Sequence, residues 1–87
     1  MIEKKLKIKN KWGLHARPAG KFIRLAAKSS SEVYLEKDGE KANGKSILEI
    51  LSLALEYNSC VKVIVNGKDE EDAIKTIEDF LSSQEEQ

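Results

Sequence analysis

Several residue types that carry chemistry in other proteins are scarce in this chain. Cysteine, proline and histidine occur once each among 87 residues, and aromatic residues make up 6%. A single cysteine, Cys60, excludes an internal disulfide, and one cysteine with one histidine provides no cluster of zinc ligands. We therefore expect no metal, no other cofactor and a reducing, cytoplasmic location.

Long apolar runs are also missing, which argues against a membrane-spanning helix. The N-terminal residues alternate charged and aliphatic side chains, so they lack the continuous apolar segment of a signal peptide. Hydrophobic residues at 40% and charged residues at 34% are typical of a globular protein, and the length predicts one small domain over residues 1–87. A domain of this size has no volume for a deep active site, so we expect it to act at its surface.

The net charge is zero, but the two signs are unevenly distributed. Residues 1–28 contain nine Lys or Arg and one Glu, a net charge of +8, whereas residues 69–87 contain eight Asp or Glu and one Lys, a net charge of −7. This distribution favours a basic face that binds an acidic partner, although charges in a small domain also segregate by chance.

Hydrophobic spacing predicts four strands and three helices. The strands are predicted at 2–8, 32–36, 40–43 and 60–65, and the helices begin at residues 16, 46 and 69, the second ending at 56. The order βαββαβα predicts an α+β open-faced sandwich, in which three helices cover one face of a four-stranded antiparallel sheet. The predicted core residues of the first and third helices are Ala19, Phe22, Ile23, Ala26, Ala27, Ala73, Ile74, Ile77, Phe80 and Leu81.

The segment GLHARPAG, residues 13–20, contains the only histidine and the only proline. Because Pro18 is tolerated only in a first helical turn, His15 is expected at or next to a helix N-terminus. Unpaired backbone N–H groups and the positive end of the helix dipole make such a position a site for phosphate. Arg17 adds a guanidinium that can pair with phosphoryl oxygens, and a neutral imidazole is a nucleophile. A histidine beside a helix start is more often a capping or surface residue, so the residues alone favour that role for His15 and leave a phosphoryl-accepting histidine open as the functional alternative.

Two groups of side chains extend this candidate site. Basic residues step by four, three and four along the solvent side of the first helix: Arg17, Lys21, Arg24 and Lys28. The second helix carries more large aliphatic residues than one buried face requires. Ile47, Ile50, Leu51 and Ala54 are predicted to face the core together, and Leu48, Leu53 and Leu55 extend beyond them. This surplus fits a docking patch, and it also fits a wide core stripe.

Ser46 begins a capping box with Glu49, in which the serine hydroxyl accepts the Glu49 N–H and the glutamate reaches back to the serine. This structural role accounts for Ser46 without any regulation.

Two motifs resemble the HPr family, the histidine-containing phosphocarriers of the sugar phosphotransferase system. GLHARPAG is similar to the family's active-site signature, and NGKSILEILSLAL, residues 43–55, is similar to the region around its regulatory serine. The spacing of the motifs, the chain length and the element order all agree with those of the HPr family, so the resemblance covers essentially the whole chain.

The resemblance implies that His15 accepts a phosphoryl group through Nδ1 from enzyme I, which obtains it from phosphoenolpyruvate. His15 would then pass the group to the IIA domain of a sugar permease, with Arg17 as the charge partner. The implied protein is a carrier rather than an autonomous enzyme, a monomer without nucleic-acid binding or membrane insertion. Ile47, Leu48 and Leu51 would border His15 and contact partners, flanked by the basic residues of the first helix.

For Ser46, the resemblance implies phosphorylation by the ATP-dependent HPr kinase/phosphorylase, giving a corepressor for a catabolite-control repressor. Glu49 opposes this because a carboxylate one turn away repels a phosphate. Two further departures concern partner choice: Trp12 stands where the family often has a small polar residue or leucine, and Gly20 lies inside a helix.

Two alternative functions remain. The first is a regulatory paralogue in nitrogen or catabolite signalling, although paralogues that have lost the carrier function typically lack the histidine that is present here. The second is a small nucleic-acid-binding domain, suggested by the basic N-terminal third. The few aromatic residues and the acidic C-terminal helix argue against it.

Overall fold

The computed structural model describes residues 1–11 and 13–83 and confirms the βαββαβα order. The strands are β1 (Ile2–Lys7), β2 (Glu32–Lys37), β3 (Glu40–Asn43) and β4 (Cys60–Asn66). The helices are α1 (Ala16–Ala27), α2 (Ile47–Ser52) and α3 (Glu70–Ser82). Trp12 and the acidic Glu85 and Glu86 lie outside the described residues.

The four strands form one sheet in the order β1-β4-β2-β3, and every neighbouring pair is antiparallel. Alternate residues point to a core shared with the helices, as the period of two in the sequence predicts. The strand residues that belong to this core are Val33, Leu35, Ala42, Val61, Val63 and Val65. The other face of the sheet carries the buried Ile64 together with charged residues: the Nζ of Lys62 on β4 lies 3.8 Å from a carboxylate oxygen of Glu3 and 3.8 Å from one of Glu36.

Helices α1 and α3 contact each other, α3 also contacts β1 and β4, and α2 contacts α1 and β3. The buried helix residues are Pro18, Ala19, Phe22, Ala26, Ile50, Ala73, Ile74, Ile77 and Leu81. Ile23 and Phe80 are half-buried at the margin of this core. Ala27, predicted as core, is exposed. At 3.6 residues per turn it lies about 80° around the helix from Ala19, outside the buried stripe.

Helix α2 is shorter than predicted, because it ends at Ser52 and not at residue 56. Ala54 has a φ of 51°, a left-handed conformation that an α-helix cannot continue. The turn directs Leu53 and Leu55 into the core, so the core interpretation of these two leucines is confirmed. The prediction that Ile47 and Ala54 face the core is wrong: Ile47, the first residue of α2, is exposed, and the turn after the helix leaves Ala54 exposed.

The capping box at the start of α2 is only half formed. The Ser46 hydroxyl accepts the Glu49 N–H over 3.4 Å, but the Glu49 carboxylate accepts the N–H of Asn43 over 2.8 Å. The Ser46 N–H is already used, since it donates to the Asn43 carbonyl over 3.0 Å. Glu49 therefore reaches past the predicted partner to the end of β3.

The basic N-terminal region and the acidic third helix partly neutralise each other within the fold. Lys4 Nζ on β1 donates to Glu78 on α3 over 2.8 Å, and the N-terminal amine donates to Glu70 over 3.2 Å. The Gly67 N–H also donates to Glu70, and together these donors lower the pKa of its carboxyl. Some of the opposite charges of the two regions thus pair with each other and hold β1 against α3.

Asp69, directly before α3, connects the helix to the loop between α1 and β2. The Ser31 hydroxyl, the Ser30 N–H and the Ser29 hydroxyl all donate to its carboxylate. These donors stabilise the ionised form and lower the Asp69 pKa from 3.8 to about 2. The side chain makes no capping bond to its own helix.

Within residues 1–11 and 13–83, no helix has the length and apolar composition needed to cross a membrane.

Candidate functional site

His15 is the residue that caps the N-terminus of α1. Its backbone is extended, with φ −98° and ψ −167°, and its carbonyl accepts the Ala19 N–H over 2.8 Å. The imidazole makes no capping hydrogen bond and is exposed. The structure therefore places His15 where its sequence context predicts it, with the ring open to a partner protein.

The first turn of α1 offers the features of an anion site beside this ring. The N–H groups of Ala16 and Arg17 have no hydrogen-bond partner among the described residues, and Pro18 has no N–H. No acidic residue lies in this turn, so nothing on the helix competes with a bound anion. The Arg17 side chain is exposed and provides a permanent positive charge next to the two amides.

The segment before His15 is held by the chain that follows α2. The Leu14 N–H donates to the Leu55 carbonyl over 2.8 Å, and both side chains are buried. Gly13 has a φ of 73°, and a Cβ at this position would lie 2.5 Å from the Leu55 carbonyl oxygen. Glycine is therefore required by conformation and by contact. His15 projects from a packed support and not from a loose loop.

The basic residues of α1 extend from this site along the helix. Arg17, Arg24 and Lys28 are exposed, and Lys21 is half-buried. Arg17, Arg24 and Lys28 form no salt bridge with any residue in the described part of the chain. The predicted basic stripe is thus present, and these three charges are not used by the fold.

The aliphatic residues of α2 divide between the surface and the core. Leu48 is 78% exposed and Ile47 is 38% exposed, whereas Leu51 is half-buried and packs against the core. Because α2 contacts α1, this apolar surface adjoins the helix that carries the basic stripe. Ile47 and Leu48 are the stronger candidates for docking, since an exposed side chain can be covered by a partner.

Ser46 caps α2 and is half-buried. Among the described residues, its hydroxyl is held by the 3.4 Å bond from Glu49 alone, which is at the long end for a hydrogen bond. The structure thus confirms the structural role of Ser46, and phosphorylation of this residue stays a prediction.

Comparison with known proteins decides the family. The PTS-HPr family, described as "PTS HPr component phosphorylation site", matches residues 2–83. The chain belongs to the HPr family. It is 34% identical over 82 residues to the phosphocarrier protein HPr of Neisseria meningitidis, covering 94% of this chain and 92% of that protein.

Solved structures confirm the open-faced sandwich. HPr-C-His from Thermoanaerobacter tengcongensis is 48% identical and superimposes with a TM-score of 0.92, covering 95% of this chain and 93% of that chain. The HPr-like protein Crh of Bacillus subtilis is 38% identical, with a TM-score of 0.78 and complete coverage of both chains. The crystal structure of Crh is an intertwined dimer with a swapped domain.

The family assignment confirms the expected carrier class. HPr proteins transfer a phosphoryl group as carriers and are not autonomous enzymes, and their partners belong to the phosphotransferase system. The family includes both HPr and the catabolite-repression protein Crh, and this chain is similar to members of each kind. Because the crystal structure of Crh is a dimer, the expected monomeric state of this chain stays a prediction.

The contact between Leu14 and Leu55 supports the site but has no signal in the sequence. The two residues are 41 positions apart, so no local period links them. Lys37, which contacts the same segment after α2, has no distinguishing signal either, because it reads as an ordinary polar residue at the end of a strand.

Proposed function

We propose that this HPr-family protein is a phosphocarrier that accepts a phosphoryl group on His15 from enzyme I and passes it to the IIA domain of a sugar permease. The observation that supports this most strongly is the exposed His15 imidazole at the start of α1, beside Arg17 and two amides that have no partner in the described part of the chain. Phosphoryl transfer depends mainly on positioning and on stabilisation of negative charge, and this arrangement offers both.

In the accepting step, an imidazole nitrogen of neutral His15 attacks phosphorus and forms the N–P bond; the family resemblance implies Nδ1. The bond from phosphorus to the donor group of phosphorylated enzyme I breaks, and the donor keeps that electron pair. In this step the Ala16 and Arg17 amides and the Arg17 guanidinium would bind the phosphoryl oxygens. In the delivering step, the acceptor on the IIA domain attacks the same phosphorus and His15 is regenerated.

A carrier must bind two partners in turn and leave each quickly. The exposed Ile47 and Leu48 provide an apolar centre, and Arg17, Lys21, Arg24 and Lys28 provide a positive flank. Such a surface favours fast, salt-dependent association with acidic partners.

A pulse-chase experiment tests this proposal. The chain is labelled with enzyme I and radioactive phosphoenolpyruvate, freed of enzyme I, and mixed with a purified IIA domain. We expect label on the wild type and not on His15→Ala, and we expect it to move to the IIA domain. Label that enters the chain but never leaves would reject the carrier function.

A second candidate function is regulation through Ser46, and the similarity to Crh favours it. Ser46 lies at the N-terminus of α2, where a phosphate is compatible with the helix dipole. Incubation with HPr kinase/phosphorylase and ATP should then phosphorylate the wild type and not Ser46→Ala. Binding of the phosphorylated form to a catabolite-control repressor would support the corepressor role.

The proposal also includes a single domain over residues 1–87 and a cytoplasmic location. The shared core of all three helices and the sheet supports the first. The free, exposed Cys60 supports a reducing compartment.

A further inference from the structure

Lys37, the last residue of β2, reaches across to the segment that follows α2. Its Nζ donates to the Ala54 carbonyl over 3.1 Å and to the Leu53 carbonyl over 3.4 Å. Leu53 is the residue that caps α2 at its C-terminus and Ala54 follows it, so both carbonyls lie just beyond the helix. Because the last turn of α2 contains no basic residue, the cation at these carbonyls comes from another element.

The same segment supports the site of His15. The carbonyl of Leu55, the residue after Ala54, accepts the N–H of Leu14 over 2.8 Å. Leu14 directly precedes His15, and Gly13 has no room for a side chain against the Leu55 carbonyl. Lys37 and Leu14 therefore bind carbonyls of consecutive residues, and the position of one carbonyl affects the other.

Ala54 needs this support because its backbone is left-handed, with a φ of 51°. A residue with a Cβ disfavours this conformation, so surrounding contacts must maintain it. The burial of Leu53 and Leu55 anchors the two neighbours of Ala54. Ala54 itself is exposed, and Lys37 is the described side chain that bonds to its carbonyl.

We propose that Lys37 is a positioning residue for His15: it fixes the Leu53 and Ala54 carbonyls and, through Leu55 and Leu14, sets the imidazole relative to the amides of α1. This inference rests on the proposed role of His15 as phosphoryl acceptor. Lys37 touches neither the ring nor a phosphoryl group, so its effect is on geometry. Small displacements of a reacting group slow a transfer that depends on alignment.

The test uses three variants. Lys37→Met keeps most of the stem and removes the charge and the donors, whereas Lys37→Arg restores both. Lys4→Met is the matched control, because it removes an equally charged lysine whose bond to Glu78 connects β1 to α3. For each variant we would measure phosphoryl acceptance from phosphorylated enzyme I and hydrogen exchange of the Leu14 amide.

In Lys37→Met we expect the maximal rate of acceptance to fall about fivefold with an unchanged KM for enzyme I, since positioning and not binding is lost. Exchange of the Leu14 amide should become about fivefold faster, because the Leu55 carbonyl is held less firmly. Lys37→Arg should restore both values, and Lys4→Met should change neither. A general loss of stability would speed exchange at amides throughout the chain and not selectively at Leu14.

Each of four results would overturn the inference: a normal maximal rate in Lys37→Met, normal Leu14 exchange in Lys37→Met, an equal defect in Lys37→Arg, or an equal defect in Lys4→Met. A change confined to KM would likewise overturn it, since it would make Lys37 a partner contact. If Lys37→Met does not fold, Lys37→Gln replaces it under the same criteria. Failure of the proposed function can be distinguished from failure of this inference. If His15 is not the acceptor, the wild type accepts no phosphoryl group, but exchange of the Leu14 amide still shows whether Lys37 stabilises the segment.

Discussion

The backbone N–H of Leu14 donates a 2.8 Å hydrogen bond to the carbonyl of Leu55. This bond joins the segment that carries His15 to the segment that ends α2, and the buried side chains of both leucines hold the contact in the core. A reactive group on a surface gains precision when its support is packed in this way. The site of this small protein is therefore shallow but well positioned.

Substitution of two glycines should have opposite effects on stability. Gly20 lies in α1, and nothing lies within 4 Å of the position that a Cβ would take, so Gly20→Ala should raise the free energy of unfolding by about 0.5–1 kcal/mol through helix propensity. Gly13→Ala should lower it by at least about 2 kcal/mol, because the new Cβ meets the Leu55 carbonyl and φ is positive. Urea unfolding of both variants measures this. Destabilisation by Gly20→Ala would show that the added methyl group is not accommodated in α1.

Asp69 should make stability depend on acid pH. Its pKa is about 2 in the folded state against 3.8 in the unfolded reference, so the ionised form is favoured by folding. The resulting stabilisation is complete above pH 3.8 and is lost as the pH falls towards 2. Unfolding of the wild type and of Asp69→Asn from pH 2 to 6 tests this.

We expect Asp69→Asn to be less stable than the wild type at pH 6 and the difference to shrink towards pH 2. The control is Asp79→Asn, which removes an exposed carboxylate from α3. Parallel pH profiles for wild type and Asp69→Asn would show that the serine hydroxyls do not hold the ionised carboxylate.

Charge reversal at Arg24 should weaken binding to enzyme I in a salt-dependent manner. Arg24 is exposed on the basic stripe, whereas Lys68 is exposed in the turn before α3. Arg24→Glu should reduce affinity about tenfold at low salt, and the loss should shrink at 1 M salt, where the Debye length is about 3 Å. Lys68→Glu, with the same change in net charge, should have a much smaller effect. Titration of enzyme I with each variant at two salt concentrations distinguishes these outcomes. Equal losses of affinity for both variants would show that the basic stripe is not part of the interface.

Glu49 should slow phosphorylation of Ser46. Its carboxylate is fixed by the Asn43 N–H beside the start of α2, where it repels an incoming phosphate. Glu49→Gln keeps the shape and removes the charge, so the initial rate with HPr kinase/phosphorylase should rise roughly twofold, as expected for relief of one like-charge pair on a helix. Glu71→Gln, an exposed position on α3, is the control. An unchanged rate in Glu49→Gln would show that the Glu49 charge does not oppose phosphorylation of Ser46.

The sequence is sufficient to predict the fold and the location of His15 because both depend on local patterns. The alternation in β2 and β4 and the helical period after Ala16 identify the elements, and Pro18 locates the start of α1. The family motifs identify His15 and Arg17, and the structure adds that both are exposed.

The errors lie where contacts between distant residues decide the structure. Helix α2 has a helical period beyond Ser52, but the burial of Leu53 and Leu55 by the rest of the protein outweighs it. The sequence predicts that Asp69 begins the third helix but gives no sign that donors from Ser29 to Ser31 bind its carboxylate. Neither partner is visible in the local sequence.

The most direct test of the central claim is the intact mass of the chain after reaction with enzyme I and phosphoenolpyruvate, before and after brief acid treatment. Acid removes a phosphoryl group from histidine, whereas phosphoserine survives it. We predict one added phosphoryl group that acid removes and that His15→Ala does not acquire. No adduct, with an enzyme I that is active on another acceptor, or an adduct that survives acid, would contradict the assignment of His15 as the phosphoryl acceptor.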